Sequence, residues 1–263
     1  MQLEFFSALD TGRARSNNED AIRIDEDLAL AVLADGMGGY NAGEVASAMA
    51  VDHVCEDVAR WLTAAHEGPR DEEEIRQALM ASAQRANQAV FDASQNRPEY
   101  AGMGTTLVTA LFNEDRVWVG HIGDSRAYRL RGGKLEQLSR DHSLLQEQID
   151  AGLLTPEEAA YSMNRNLVTR AVGVEPVVEL EVVGHELRAG DTVMLCSDGL
   201  SDMLPDAAIA QVMRASDNLE MTAQALIAAA NAAGGRDNIS VVLVRAKGGA
   251  AQTGRAWWPF RRA

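Results

Sequence analysis

Apolar residues along this chain follow two alternating spacings, one typical of β-strands and one typical of helices. Short runs rich in branched and aromatic residues predict strands. They cover residues 3–9, 22–24, 28–34, 105–112, 116–122, 126–130, 177–183, 192–196 and 239–244. Longer stretches repeat apolar residues at helical spacing. They predict helices over residues 43–66, 72–94, 206–214 and 219–233.

The order of these elements predicts an α+β fold. Short links between residues 105 and 130 favour a meander of successive antiparallel strands, and the glycine pair in residues 131–134 favours a hairpin turn. Pairs of helices alternate with groups of antiparallel strands. This order favours two sheets packed face to face with helices outside.

Two segments depart from this pattern. Residues 141–170 are more polar, and Thr155 to Glu158 has the residues of a helix start, with a threonine cap and a glutamate three residues later. Residues 248–263 contain arginines, tryptophans and a phenylalanine but no acidic residue. We expect these last residues to form a flexible tail, and contact with a partner or a membrane surface is the alternative.

Composition and charge narrow the class of protein. Of the 263 residues, 46% are apolar and 24% are charged, as in ordinary globular domains. The net charge of -15 argues against a general nucleic-acid binder, because such a surface repels phosphate backbones. The same charge suits either solubility or the attraction of basic substrates, and the sequence leaves both open.

The cysteines and the apolar runs indicate a compartment. Cys55 and Cys196 lie far apart in apolar patterns, which favours buried thiols in a reducing environment over a disulfide. No stretch reaches the ~20 apolar residues that a membrane helix needs, and the first residues lack a basic signal region. We therefore expect a cytoplasmic protein with no transmembrane segment.

Acidic residues beside glycines or turns carry the candidate chemistry. Asp35, Asp124 and Asp198 each follow an apolar β-prone run, so a sheet can direct them at one point. Converging carboxylates repel one another unless cations lie between them, which predicts bound divalent metal. Because the donors are hard oxygens and no histidine and cysteine lie at zinc spacing, magnesium or manganese is favoured. The other acids of this set are Glu19, Asp20 and Asp237.

Such a site suits phosphate chemistry. Two ions that share Asp35 can hold a water between them, lower its pKa and direct it at a phosphorus atom. Arg15 lies close in sequence to Glu19 and Asp20, and its planar guanidinium suits the free oxygens of a phosphate. Metal, water and arginine together predict the hydrolysis of a phosphate ester.

Two other phosphate chemistries are excluded. A cysteine phosphatase needs an arginine six residues after its thiolate, and those positions hold Trp61 and Asp202. Residues 38–43 imitate the glycines of a P-loop, but Glu44 stands where a lysine is required. An acid at that position repels a triphosphate.

Six short motifs occur in the order seen in one enzyme family. They are Arg15 with Asn18-Glu19-Asp20, Ala34-Asp35-Gly36-Met37-Gly38-Gly39, Gly104-Thr105-Thr106, Gly123-Asp124-Ser125-Arg126, Ser197-Asp198-Gly199-Leu200 and Arg236-Asp237-Asn238-Ile239-Ser240. Over about residues 4–245, the chain resembles the bacterial form of the metal-dependent type 2C (PPM) protein serine/threonine phosphatases. Each motif alone is weak evidence, whereas six in order are strong evidence.

The resemblance implies a fold and a set of site residues. The fold is a four-layer α-β-β-α β-sandwich, with two antiparallel sheets flanked by helix pairs. It forms a single domain at residues 1–247, with a flap at 141–170 and the basic aromatic tail at 248–263. The implied metal ligands are Asp35, which bridges two tight manganese or magnesium ions, the Gly36 carbonyl, Asp198, Asp237 and, for a third and weaker ion, Asp124. The implied catalytic residues are Glu19 and Asp20, which act largely through metal-bound water, and Arg15, which holds the substrate phosphate.

The implied reaction is the hydrolysis of phosphoserine and phosphothreonine in proteins by a monomer that opposes a bacterial serine/threonine kinase. Met37 stands where some members have a histidine that protonates the leaving group, so the proton donor is unassigned, with metal-bound water as the default. Residues 162–166 depart from the usual flap sequence, which leaves the substrate preference open.

Two readings of another class compete with this one. A catalytically idle module of the same fold would bind phosphoproteins and regulate them, and a missing metal aspartate would favour it. None of the core aspartates is missing. A calcium-binding structural protein would explain the acids but not Arg15 or the glycines, and the chain lacks the contiguous Asp-rich loop of such sites.

Overall fold

The computed structural model describes residues 1–39, 42–64, 70–155, 158 and 167–248. The strands in these residues are β1 (Gln2–Asp10), β2 (Asp20–Asp25), β3 (Leu30–Met37), β4 (Gly104–Thr105), β5 (Leu107–Asn113), β6 (Arg116–Ile122), β7 (Arg126–Arg131), β8 (Lys134–Gln137), β9 (Glu181–Glu186), β10 (Thr192–Cys196) and β11 (Ile239–Lys247). The helices are α1 (Ala42–Thr63), α2 (Glu72–Asn96), α3 (Leu144–Asp150), α4 (Asp198–Ser201), α5 (Asp206–Arg214) and α6 (Leu219–Ala232).

The strands form two antiparallel sheets. The first sheet has the order β1-β11-β10-β7-β8, and the second has the order β2-β3-β5-β6-β9, with β4 paired to β3. The predicted pair of antiparallel sheets is therefore confirmed. The glycine pair of residues 131–134 makes the predicted hairpin between β7 and β8, with Arg131 opposite Lys134.

Three apolar clusters define four layers. Strand β3 is buried on both faces: Val32 packs in the cluster formed with α1 and α2, and Leu33 packs between the sheets. In the first sheet, Leu243 of β11 packs in the cluster formed with α5 and α6, and Val242 packs between the sheets. Since side chains alternate along a strand, one apolar run supplies two cores. The predicted four-layer α-β-β-α sandwich is confirmed.

The predicted meander through residues 105–130 is wrong at its last step. Strands β5 and β6 pair as expected, but β7 lies in the other sheet, between β10 and β8. The chain crosses from one sheet to the other at 123–125, where Gly123 has a φ of +98°. A short link with a glycine is compatible with either course, because local pattern does not fix which strand becomes the partner. The crossover carries Asp124 to the edge where the two sheets meet.

The strand predicted over 177–183 begins four residues late, as β9. Residues before it bond to α2 instead of to a sheet: Gln84 accepts a hydrogen bond from the Val178 amide and donates one to the Pro176 carbonyl. Val177 is 75% exposed, so its apolar side chain does not mark a buried face. The side chain of Gln84 thus bonds the backbone groups that a neighbouring strand would otherwise bond, and the apolar pattern of the sequence does not indicate this.

The polar segment 141–170 is described in part. Helix α3 begins after Ser143, whose hydroxyl accepts the Gln146 amide at 3.2 Å. At the predicted helix start, Thr155 and Glu158 exchange the two hydrogen bonds of a capping box. The remainder of that predicted helix lies outside the described residues, as do residues 249–263 of the predicted tail. Among the described helices, none is long and apolar enough to cross a membrane.

Candidate active site

Acidic side chains from four parts of the fold meet at one edge of the sandwich. Asp35 ends the buried part of β3, Asp198 begins α4 directly after β10, Asp124 lies in the crossover, and Asp237 precedes β11. They line one cavity of about 290 Å³. Of the eight site residues predicted from the sequence, seven line this cavity: Arg15, Glu19, Asp35, Gly36, Asp124, Asp198 and Asp237.

The eighth predicted residue, Asp20, lies behind the cavity and joins the two sheets. It begins β2, opposite Asp35 of β3, and is only 8% exposed. Its Oδ2 accepts hydrogen bonds from the Ser197 hydroxyl at 2.9 Å and from the Ser240 hydroxyl at 2.5 Å. Ser240 belongs to β11 of the opposite sheet, so one carboxylate holds the sheets in register at the site.

Two glycines allow backbones to approach within the site. A Cβ atom on Gly36 would lie 2.1 Å from the Gly43 carbonyl oxygen and 2.5 Å from that of Glu19. A Cβ on Gly199 would lie 2.0 Å from the Asn238 carbonyl oxygen. Real atoms do not come this close, so only glycine fits at both positions. The Asp-Gly pairs therefore serve close packing of the acid-bearing segments and not only turns.

Asn238 fixes the segment that carries Glu19. Its side-chain oxygen accepts the Glu19 amide at 2.8 Å. Its side-chain nitrogen donates to the carbonyls of Thr11 at 3.0 Å and Asn17 at 2.9 Å. The motif around Asp237 indicated no role for Asn238, although an asparagine at this position is a signal for a side chain that bonds nearby backbone.

Thr106 fixes Asp35 in a similar way. Its hydroxyl accepts the Asp35 amide at 2.9 Å and lies 2.7 Å from the Ser125 hydroxyl. Ser125 follows Asp124, so two hydroxyls connect the crossover to the end of β3. The motifs themselves indicated no role for Thr106 and Ser125, or for the two serines that hold Asp20. A hydroxyl residue beside a candidate acid is the sequence signal for such a role.

The cluster is electrostatically strained without a cation. Burial, together with repulsion from the neighbouring aspartates, raises the pKa of Asp35 and of Asp198 well above the usual range. Burial raises the pKa of Asp20 to about 6, although hydrogen bonds from its two serines oppose the shift. Burial, with the nearby Asp141 carboxylate, raises the pKa of Asp124 to about 6. Each carboxylate is therefore costly to ionise in the presence of the others.

The donor set fits manganese or magnesium. Over the part of the chain that the structure describes, Oδ1 of Asp20 and Oδ1 of Asp198 are buried and accept no hydrogen bond. An ionised, buried carboxylate oxygen without a donor requires a positive partner, since its desolvation is otherwise uncompensated. Oxygen ligands of this kind are those that hard divalent cations prefer. The site can therefore hold such ions and the phosphate that they attract.

Arg15 lies at the rim of the cavity and pairs with one of these acids. Its Nη2 donates to Oδ2 of Asp237 at 2.6 Å, and half of its side chain is exposed. The hydrogen bond to Asp237 raises the pKa of Arg15 further. A guanidinium has five N–H donors, so this contact leaves others that can face a ligand in the cavity. The predicted phosphate-binding arginine is thus in reach of the predicted metal ligands.

Comparison with known proteins gives a consistent result. The family model for protein phosphatase 2C matches residues 12–233. The serine/threonine phosphatase stp of Listeria monocytogenes serotype 4b (strain F2365) is 37% identical over 241 residues, which cover 89% of this chain and 92% of that protein.

Solved structures agree with that match. The crystal structure of the Mycobacterium tuberculosis serine/threonine phosphatase PstP/Ppp superposes with a TM-score of 0.85 at 36% identity, over 94% of this chain and 99% of that one. The catalytic domain of PstP in complex with two manganese ions superposes with a TM-score of 0.81 at 37% identity, over 92% of this chain and 97% of that one. The chain therefore belongs to the protein phosphatase 2C family.

Proposed function

We propose that this protein hydrolyses phosphoserine and phosphothreonine in other proteins, with divalent metal held in the aspartate-lined cavity. The observation that carries the proposal is the meeting of Asp35, Asp198 and Asp237 at one cavity, with Arg15 at its rim. Membership of the protein phosphatase 2C family gives the same reaction class. The relatives named above are serine/threonine phosphatases.

The metal ligands are those that the family resemblance implies, and all of them line the cavity. Asp35 would be shared by two manganese or magnesium ions, with the Gly36 carbonyl on one ion and Asp198 with Asp237 on the other. Asp124 would hold a third, weaker ion together with Asp198. The number of tight ions agrees with the two manganese ions in the PstP catalytic domain. When bound, such ions supply positive charge that polarises a phosphate ester and lowers the pKa of water.

The remaining residues position the reactants. Arg15 would bind the free phosphate oxygens through the guanidinium donors that do not contact Asp237, and so orient the ester. Glu19 borders the cavity, and its carboxylate lies against Gly43, where an added Cβ would be 2.9 Å away. Asp20 keeps its place through two serine hydroxyls, so it can order water without moving.

We extend the proposal to the setting of the enzyme. It would act as a cytoplasmic monomer on the targets of a serine/threonine kinase, with residues 1–247 as one domain and residues 248–263 as a flexible tail. One observation supports a reducing compartment: Cys55 and Cys196 are both buried and unpaired. Burial also raises the pKa of each thiol to about 12. Such thiols are inert and not redox-active.

The first prediction concerns turnover. The protein with Mn²⁺ or Mg²⁺ should release phosphate from phosphothreonine peptides, and EDTA should abolish the release reversibly. Asp35→Asn should lower kcat about 100-fold or more, because the charge of a ligand shared by both ions is lost. The fold should survive, because the residue lies outside the apolar cores. Asp52→Asn, on the exposed face of α1, is the matched control and should retain full turnover. Wild-type protein that binds phosphopeptide but releases no phosphate would identify the idle module instead.

The second prediction concerns phosphate capture. Arg15→Ala should raise KM for a phosphopeptide about tenfold and change kcat less, because a contact equal in ground and transition states affects binding alone. Arg23→Ala is the control, since Arg23 forms a comparable surface ion pair with Asp52 at 3.0 Å and neither residue lines the cavity. Steady-state kinetics on both variants measure KM and kcat. Equal KM values for Arg15→Ala and wild type would remove Arg15 from the substrate site.

The third prediction concerns stability and pH. The pKa values of Asp20 and Asp124 are about 6 in the folded protein and about 3.9 in an unfolded chain. Between these values the folded state binds more protons, so the free energy of unfolding of the metal-free protein should fall as pH rises from 4 to 7. Mn²⁺ should remove most of this fall, because it favours ionised carboxylates. Urea unfolding in EDTA and in Mn²⁺ measures both curves, and parallel curves would argue against a cation in the cluster.

A further inference from the structure

His142 touches the crossover that carries Asp124 through both its backbone and its ring. Its backbone amide donates to the Gly123 carbonyl at 2.9 Å. In return the Gly123 amide donates to Nδ1 of the His142 ring at 3.2 Å. Gly123 precedes Asp124 directly, so both polar groups of the adjoining residue are held by one histidine. The function described above uses neither of these contacts.

The same residue joins the two ends of the predicted flap. We define the flap base as residues 141–144 and 167–170, all of which are described. The His142 carbonyl accepts the Thr169 amide at 2.8 Å, and Ser143 forms a β-bridge with Val168. His142 therefore bonds to the crossover on one side and to the returning chain of the flap base on the other.

The buried ring of His142 is in the neutral form that can accept the hydrogen bond from the Gly123 amide. It is 8% exposed and stacks on His121 with ring centres 4.7 Å apart. Burial, with the neighbouring His121 and Arg170, lowers the pKa of His142 to about 4. The ring is therefore neutral near pH 7, and a neutral ring can accept the Gly123 amide at Nδ1.

This tautomer also argues against a different reading of the cluster. His121, His142 and Glu181 place one potential metal-ligand atom each within 4.8 Å of one another. Because Nδ1 of His142 accepts a hydrogen bond, its Nε2 carries the proton of the neutral ring and has no lone pair for a metal. Nε2 lies 3.6 Å from Oε2 of Glu181, beyond hydrogen-bond distance, and has no hydrogen-bond partner among the described residues. An N–H at this position disfavours a cation bound by the three side chains.

We propose that His142 is a positioning residue that couples the flap base to Asp124 and so sets the affinity of the Asp124 and Asp198 pair for a divalent cation. The inference rests on the proposed function, which places a third ion at that pair. Loss of the Nδ1 acceptor leaves the Gly123 amide buried without a partner, so the turn before Asp124 relaxes toward another conformation. The carboxylate then meets the ion less often in the competent position.

A second contact keeps the flap base attached when the ring is replaced. Arg126, at the far end of the crossover, donates to both carboxylate oxygens of Asp141, with contacts of 2.6 to 3.0 Å. Replacement of the His142 side chain therefore removes the Nδ1 contact alone, and the backbone bond to the Gly123 carbonyl and the Arg126–Asp141 pair both remain. We expect the His142 variants to fold and to retain the two tight ions.

The test measures metal binding directly as well as turnover. Calorimetric titration of the full chain with Mn²⁺ should show His142→Leu with the weakest class of site about tenfold weaker, within the range usual for coupled sites. His142→Asn should restore wild-type affinity, because its side-chain oxygen takes the place of Nδ1. His185→Leu, a half-buried histidine of β9 away from the crossover, is the matched control and should bind as wild type.

A double-mutant cycle separates positioning from a general loss of structure. Asp124→Asn should abolish the weakest class of site. In that background, His142→Leu should leave the affinity of the two tight sites unchanged, because it acts through Asp124. Hydrogen exchange of the metal-free protein should show faster exchange of the Gly123 amide in His142→Leu than in His142→Asn.

Three outcomes would overturn the inference. They are wild-type affinity in His142→Leu, equal losses in His142→Leu and His142→Asn, and a wild-type chain that binds only two ions. Phosphopeptide hydrolysis by the same wild-type sample tests the proposed function separately. An active enzyme with an unaltered His142→Leu variant would contradict this inference alone.

Discussion

Repulsion among buried carboxylates is the constraint on which the rest of this structure depends. Asp20 and Asp124 are each 8% exposed. Burial, with repulsion from neighbouring aspartates, raises the pKa of Asp35 and of Asp198. Low dielectric strengthens such repulsion, so the cluster is costly without a cation and favourable around one. The fold must therefore force together side chains that would separate if the backbone allowed it.

The sandwich supplies that force at the edge where its two sheets meet. Apolar packing between and outside the sheets fixes the strands, and hydrogen bonds then fix the strand ends. Asp20 belongs to one sheet and accepts hydrogen bonds from Ser240, which lies within the other sheet, and from Ser197, which lies beside it. Gly36 and Gly199 allow backbone contacts that any side chain would prevent. Catalytic geometry and sheet packing are thus maintained by the same contacts.

Much of this was predictable from the sequence, for reasons that are local. Strands β6 and β10 and helix α5 have the predicted limits because each has a clear apolar period between turn residues. The Asp-Gly pairs predicted a metal site because acids at strand ends converge. The transfer of β7 to the other sheet and the identity of the residues that Asn238 and Thr106 bond were not predictable, because they depend on partners distant in sequence. Nothing in a single motif indicates which sheet a strand will join.

The most direct test of this account locates the metal itself. Crystals grown with Mn²⁺, with data collected at the manganese absorption edge, would show anomalous peaks at each bound ion. The account predicts two strong peaks beside Asp35, one of them in contact with the Gly36 carbonyl, and a weaker peak between Asp124 and Asp198. Strong peaks at His121, His142 and Glu181, with none at the aspartates, would contradict it.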